Sequence, residues 1–136
     1  KTINKFSINH ISNDNILLDD INIIGVNDNL KKNNQIEIVN KNIKVNLFNI
    51  LLIHKPSIWQ NVLNKSDLML SGHTHNGQIF PFNLFVKIQF KQNYGLYKKS
   101  KSHLYVTSGS GCWGPRMRLG TFNEIVHIEL KSDKIV

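Results

Sequence analysis

Two stretches decide the fold: Val45-Asn46-Leu47-Phe48-Asn49-Ile50-Leu51-Leu52-Ile53-His54, and Leu68-Met69-Leu70-Ser71-Gly72-His73-Thr74-His75. The first is a nearly continuous apolar run from Val45 to Ile53, the pattern of a strand covered on both faces. Pro56 has no N–H to donate and stops the ladder. Ser57 is placed to cap a helix over residues 58–64. Leu68-Met69-Leu70 then reads as a second short buried strand. Strand, helix and strand make a βαβ-like unit, so the chain reads as α/β. In such sheets ligands gather beyond the carboxyl ends of the strands, which is where His54 and His73 fall.

Outward from this unit the signals weaken. Ile21 to Val26 reads as a short buried strand. Residues 1–20 are Asn-rich, with apolar residues at Phe6, Ile8, Ile11, Ile16, Leu17 and Leu18, and suggest weak strands around a turn at Asn13-Asp14-Asn15. Residues 27–35 are polar and predict a loop or short helix. Residues 78–90 predict a loop followed by a short apolar helix. Leu104-Tyr105-Val106-Thr107 and residues 125–130 predict late strands, with Ser108 to Gly114 as a glycine-rich loop between them. There is no internal repeat and no linker composition, so the 136 residues are read as one portion of a single domain.

Composition narrows the function classes. The formal net charge is +8 at pH 7. The lysines are scattered among asparagines, and no helix-turn-helix, zinc-finger spacing or aromatic RNA-binding motif accompanies them. A specific nucleic-acid role is therefore not expected. The single cysteine, Cys112, excludes an internal disulfide and, with no base beside it, is read as structural. No apolar run approaches the roughly 18 residues that a membrane span needs. The chain begins at Lys1, and the expectation is that a removed upstream segment carried any anchor or targeting signal.

The chemistry-bearing residues are histidines. Gly72-His73-Thr74-His75-Asn76-Gly77 places two imidazoles one residue apart between glycines. Neutral imidazole ligates Zn, Fe, Mn and Ni. In an extended segment i and i+2 side chains share a direction, so both rings are expected to face one site, with His54 at the neighbouring strand end. Trp113, Pro115, Arg116 and Arg118 either line a phosphate-binding mouth or form a surface loop with solvated arginines. His103 is read as an exposed loop residue and His127 as a sheet-face residue.

These motifs resemble the second half of the calcineurin-like metallophosphoesterases, in particular the bacterial, often membrane-associated branch. The resemblance runs from His54-Lys55-Pro56 through Gly72-His73-Thr74-His75-Asn76-Gly77-Gln78-Ile79 and Tyr94-Gly95-Leu96-Tyr97. It continues through Leu104 to Gly120 and Glu124-Ile125, spanning about residues 20 to 130. It implies a partial α/β/β/α sandwich, the C-terminal half of a fold with a dimetal site at the strand ends. It also implies that His54 and His73 bind one metal and His75 the other. Two divalent transition metals (Mn, Fe, Zn or Ni) would serve the complete domain, and none or one this chain. In the family the metals activate a bridging water that attacks phosphorus in line and neutralise the phosphate oxygens.

The family's Asp-x-His, Gly-Asp and Asn-His motifs are missing. Asn9-His10 is the nearest dipeptide and is not given that role. The acids present (Asp14, Asp19, Asp20, Asp28, Glu37, Asp67, Glu124, Glu129, Asp133) do not form a bridging pattern, and Asn76 stands where the family usually has glycine. The resemblance thus implies a phosphoesterase acting on a phosphorylated small molecule or lipid, with this chain inactive alone. The rival reading is a metal-binding or partner-binding module without catalysis. Half of a sandwich should expose apolar surface and self-associate. The resemblance further implies a domain held near a bacterial membrane by a preceding segment.

Overall fold

The structure is a computed structural model and describes residues 8–131. Phe6 and Asp133 lie outside the described residues, as does the start of the weak-strand expectation.

Six strands form one sheet: β1 (Asp14–Leu18), β2 (Ile21–Val26), β3 (Phe48–Ile53), β4 (Leu68–Ser71), β5 (Gly95–Lys99) and β6 (Ser102–Val106). Their spatial order is β1-β2-β3-β4-β6-β5. The four central strands run parallel, and β1 and β5 close the edges as antiparallel hairpins. Helix α1 (Lys32–Asn42) links β2 to β3, and a 3₁₀ turn (Pro56–Asn61) links β3 to β4. Both cover the same face of the sheet. That face holds the core: Ile24, Val26, Leu51, Ile53, Met69, Leu104 and Val106 from strands meet Val39, Ile58, Trp59 and Val62. The mixed α/β architecture matches the fold class expected.

Several local expectations are corrected. The first turn sits at Asp19-Asp20, where Leu18 pairs with Ile21 across a two-residue loop and Asp19 takes φ 49, a left-handed geometry that Asp tolerates. Asp14 and Asn15 already belong to β1. Strand β3 begins at Phe48, and Val45 is 92% exposed. Asn49 stops the strand from starting earlier. Its side chain donates to the carbonyls of Lys44 (2.9 Å) and Leu47 (2.8 Å) and accepts from Lys44 N (3.0 Å), folding residues 44–47 into a turn. The segment after Pro56 is 3₁₀ and starts on the proline with no side-chain cap. His103 lies within β6. Residues 125–130 form no strand, and Ile125 and His127 are exposed.

The apolar run of β3 is buried on one face only. Asn49, Leu51 and Ile53 point into the core, whereas Phe48 and Leu52 are exposed. In register with Phe48, Ile50 and Leu52 lie Ile21 and Ile23 of β2 and Leu68 and Leu70 of β4. Leu18 and Leu96 extend this second face at the edges and are exposed. One sheet with helical elements on one side, and an apolar face on the other, has the form of one half of a sandwich.

Helix α1 was visible in the sequence only as a polar stretch because two of its three buried residues are polar. Gln35 and Asn42 flank Val39 on the inward face. Gln35 Nε2 donates to Asn27 O at 3.1 Å and Asn42 Nδ2 to Ile38 O at 2.9 Å. Asn22 of β2, fully buried, donates to both Asn42 O (2.9 Å) and Asn49 Oδ1 (2.8 Å). This paired network satisfies groups that would each cost roughly 1–3 kcal/mol if buried without partners. It pins the amino ends of the strands, opposite the histidines.

Candidate metal centre

The carboxyl ends of β3 and β4 lie side by side. Gly72 N donates to His54 O at 3.0 Å, which continues the pairing one step past the strands and brings His54 and His73 together. The two rings are 4.8 Å apart between centroids and stand at 79°. His73 Nδ1 and His54 Nε2 face each other at 3.0 Å. At this distance the two rings share a hydrogen bond whose direction depends on their tautomers. Both nitrogens are of the type that ligates divalent transition metals. Phe90 packs edge-on against the other side of the His73 ring, with centroids 5.5 Å apart.

His75 does not join them. Residues 73–78 are not extended: His73, His75, Asn76, Gly77 and Gln78 all have positive φ, from 45° to 76°, and Thr74 between them is right-handed helical. The i, i+2 alignment of an extended segment is lost, and His75 does not gather with the pair into a three-ligand group. Asn76 is left-handed at φ 52, ψ 28, a geometry asparagine tolerates better than most residues. Each non-glycine residue held there costs of the order of 1–3 kcal/mol and persists only where its surroundings fix it. Here they do. Thr74 Oγ1 donates to Asn93 O at 2.6 Å, and Asn93 Nδ2 donates to Asn76 Oδ1 at 2.9 Å. The Gln78 side chain clasps Trp113, accepting from its N at 2.6 Å and donating to its O at 2.8 Å.

Arg118 is neither a phosphate-mouth residue nor a solvated one. Its guanidinium donates to His75 O (2.9 Å), Ser108 O (2.7 Å) and Gly111 O (2.7 Å), tying the glycine-rich loop to the histidine loop. It also approaches His75 Nδ1 at 3.5 Å. Trp113, Pro115 and Arg116 are exposed in the loop it holds. Cys112 is an exposed free thiol, which corrects its reading as a structural residue.

No group of three His, Cys, Asp or Glu side chains gathers to hold a metal among the described residues. The acid nearest to the pair in role is Asp28, just past β2, whose Oδ2 meets Lys55 Nζ at 2.9 Å. The sequence reading gave Asp28 no role. The signal available was its position past the end of β2, whose Val26 is in register with Ile53, the residue before His54. Glu124 was quoted only as part of a motif. It accepts from Tyr94 Oη (2.7 Å), Tyr105 Oη (3.2 Å) and Ser108 N (3.2 Å). Partial burial works against its charge, but these hydrogen bonds outweigh it and hold the carboxyl below its ordinary range.

The electrostatics favour neutral imidazoles. Burial, then the neighbouring His54 and Lys55, lower the pKa of His73 from 6.5. Burial, then Arg118 and His54, lower that of His75 from 6.5. Metal binding requires deprotonated nitrogens, so both rings are ready as ligands at neutral pH. The sign for stability follows. Above 6.5 neither state carries the proton. Below it the unfolded chain protonates first, so the folded state loses stability as pH falls, until its own rings protonate. NMR titration should place the ring-proton midpoints of His73 and His75 below 6.5, and the urea midpoint should be lower at about pH 5.5 than at about pH 7.5. Midpoints above 6.5 for both rings would contradict this electrostatic picture.

Comparison with known proteins agrees with the geometry. The chain is 49% identical over 87 residues to an uncharacterized metallophosphoesterase of Campylobacter jejuni, covering 62% of this chain and 23% of that protein. It is 45% identical over 84 residues to an uncharacterized metallophosphoesterase of Helicobacter pylori, covering 60% of this chain and 23% of that one. It is 40% identical over 87 residues to a Danio rerio transmembrane protein with metallophosphoesterase domain, covering 61% and 20%. The matches thus span about a fifth to a quarter of these relatives' length. No family model matches the chain, and no solved structure matches it significantly. With relatives of this name at such identities, and two histidines brought together at adjacent strand ends, the chain is similar to a part of the calcineurin-like metallophosphoesterases.

Proposed function

We propose that this chain supplies the histidine side of a dimetal site for phosphoester hydrolysis, with His54 and His73 on one ion and His75 on the other. The observation that carries the reading is the 3.0 Å approach of His54 Nε2 to His73 Nδ1, with the carbonyl of His75 accepting from Arg118. One shared ion for the pair, and a separate one for His75, is the division this geometry supports. A bound divalent metal supplies Lewis acidity toward phosphoryl oxygens and lowers the pKa of a coordinated water.

The chain's own residues do the positioning. The adjacent ends of β3 and β4 hold the pair, Phe90 backs His73, and Asn93 and Arg118 fix the loop between the two ligand positions. Lys55 stands beside His54 and brings positive charge toward an anionic substrate, with Asp28 limiting its reach. The substrate class is a phosphomonoester or phosphodiester of a small molecule or lipid. The ligand set lacks bridging carboxylates, so the chain by itself is expected to bind metal without turnover.

Zinc titration of the purified chain, followed through histidine ring-proton resonances, tests the reading. The signals of His54, His73 and His75 are expected to shift while those of His10, His103 and His127 stay in place. A response spread evenly over all six histidines would reject the site. Sustained hydrolysis of bis(p-nitrophenyl) phosphate by the isolated chain would reject its dependence on further ligands.

A further inference from the structure

Helix α2 (Phe82–Gln89) and the segment that leads from it into β5 border a cavity of about 360 Å³. That size lies in the roughly 300–1,000 Å³ range of small-molecule sites. Lys87, Phe90, Lys91, Tyr94 and Tyr97 line it, and so do Asn76 and Asn93. The cavity adjoins the histidine pair. Phe90 also packs edge-on against His73, with centroids 5.5 Å apart, and Asn76 follows His75 directly in the chain.

Hydrogen bonds fix the wall. Tyr97 Oη accepts from the backbone N of Asn93 at 3.0 Å and from that of Tyr94 at 3.2 Å. Asn93 O accepts from Thr74 Oγ1, and Asn93 Nδ2 donates to Asn76 Oδ1. Tyr94 Oη donates to Glu124 Oε2 at 2.7 Å, which orients the Tyr94 ring. One group is left over. Asn93 is 6% exposed, and its Oδ1 is buried with no partner among the described residues. A buried acceptor that the fold does not satisfy needs a reason. A donor carried by a ligand in the cavity supplies one.

The charge at the cavity is positive on balance. Lys87 and Lys91 bring two ammonium groups, and neither has an acidic partner among the described residues. No lining residue is acidic. The acid bonded to the wall is Glu124, and both its oxygens are engaged, Oε2 by Tyr94 and Oε1 by Tyr105 Oη and Ser108 N. Lysine ammonium groups suit phosphate oxygens, and aromatic side chains suit a planar ring.

We propose that this cavity is a ligand subsite for a phosphorylated compound with a planar ring and an N–H or O–H donor. Its negative group meets Lys87 and Lys91, and its ring lies against Tyr94. Identifying that ligand with the alcohol portion of an ester substrate rests on the phosphoesterase reading, through the wall that Phe90 shares with His73. Occupancy of the cavity does not, and it is measured on metal-free chain.

Adenosine 5′-monophosphate combines the three features and is the probe. It is titrated into the full 136-residue chain, freed of metal with a chelator, and followed by NMR. Shifts are expected at the side-chain amides of Asn76 and Asn93 and along residues 87–94, and not in α1. Binding should be at least about tenfold tighter than that of adenosine or of inorganic phosphate, because each carries only part of the recognised chemistry. Lys91→Gln should weaken it by about tenfold, the worth of one charge-assisted contact. Lys98→Gln, exposed on β5 and outside the cavity, should bind as the parent does. Tyr94→Ala should weaken binding by about fivefold or more, the scale of stacking on an aromatic ring. Tyr94→Phe gives up the same bond to Glu124 but keeps the ring, and should retain affinity.

The proposal is overturned if the probe does not bind, if inorganic phosphate binds as tightly as the probe, or if Lys98→Gln loses as much as Lys91→Gln. Equal losses for Tyr94→Phe and Tyr94→Ala would also overturn it, because the bond to Glu124 and not the ring would then decide affinity. Binding of the probe, together with an even response of all six histidines to zinc, would keep the subsite and remove only its assignment to a phosphoester substrate.

Discussion

His73→Ala is expected to weaken zinc binding by more than about a hundredfold, since outer-shell partners of a metal ligand alone are worth about 10–100-fold. Among the described residues, the His73 and His54 ring nitrogens face each other 3.0 Å apart. Removing His73 leaves His54 as a single imidazole at the exposed end of β3. His54→Ala should behave the same way, because the pair acts as a unit and its two losses are not additive. His75→Ala should leave zinc binding by the pair in place, since His75 does not gather with His54 and His73. His127→Ala, in an exposed segment without regular structure, should change nothing. Calorimetric titration with zinc separates these variants. If His73→Ala binds zinc as tightly as the parent chain, the pair is not the ligand set.

The parts of this picture that the sequence made legible are those in which one local rule dominates. Ile21 to Val26 and Leu68 to Leu70 are short, apolar and bounded by turn residues, and both are strands. The placement of His54 and His73 at neighbouring carboxyl ends followed from two such runs separated by a short crossover. The illegible parts are those in which tertiary hydrogen bonds overrule the local pattern. The run from Val45 looks uniform, yet Asn49 ties back to Lys44 and Leu47 and delays the strand to Phe48. Helix α1 hides because its inward positions are asparagine and glutamine with backbone partners.

The bent course of residues 73–78 could not be read from the spacing of His73 and His75. It requires five left-handed residues that Asn93, Trp113 and Arg118 hold from 17 to 43 positions away. Arg118 shows the same limit from the other side. Its residue type suggested phosphate, and only the carbonyls of His75, Ser108 and Gly111 reveal that its two terminal nitrogens are already engaged.

Gly77→Ala tests whether that loop geometry is built in or incidental. Gly77 has φ +76, and a β-carbon there would stand 2.2 Å from the Asn83 Cα and 2.6 Å from its Cβ. Those atoms belong to a helix and cannot swing away like the end of a flexible side chain. The left-handed backbone costs alanine roughly 1–2 kcal/mol, and overpacking adds about 1–3 kcal/mol. A total of about 2–5 kcal/mol is a large part of the roughly 5–15 kcal/mol that holds a domain folded. With a denaturant slope of about 1–3 kcal/mol/M, the urea midpoint should fall by roughly 1–2 M. Gly109→Ala supplies the comparison. Its φ is +80, but no atom lies within 4 Å of the added carbon, so only the conformational penalty of about 1–2 kcal/mol applies. The steric part should also push α2 off the loop, disturb the contact of Phe90 with His73 and weaken zinc binding, which Gly109→Ala should spare. Equal midpoints for the two variants would mean that α2 yields to the new side chain, and that its packing on Gly77 does not position the histidines.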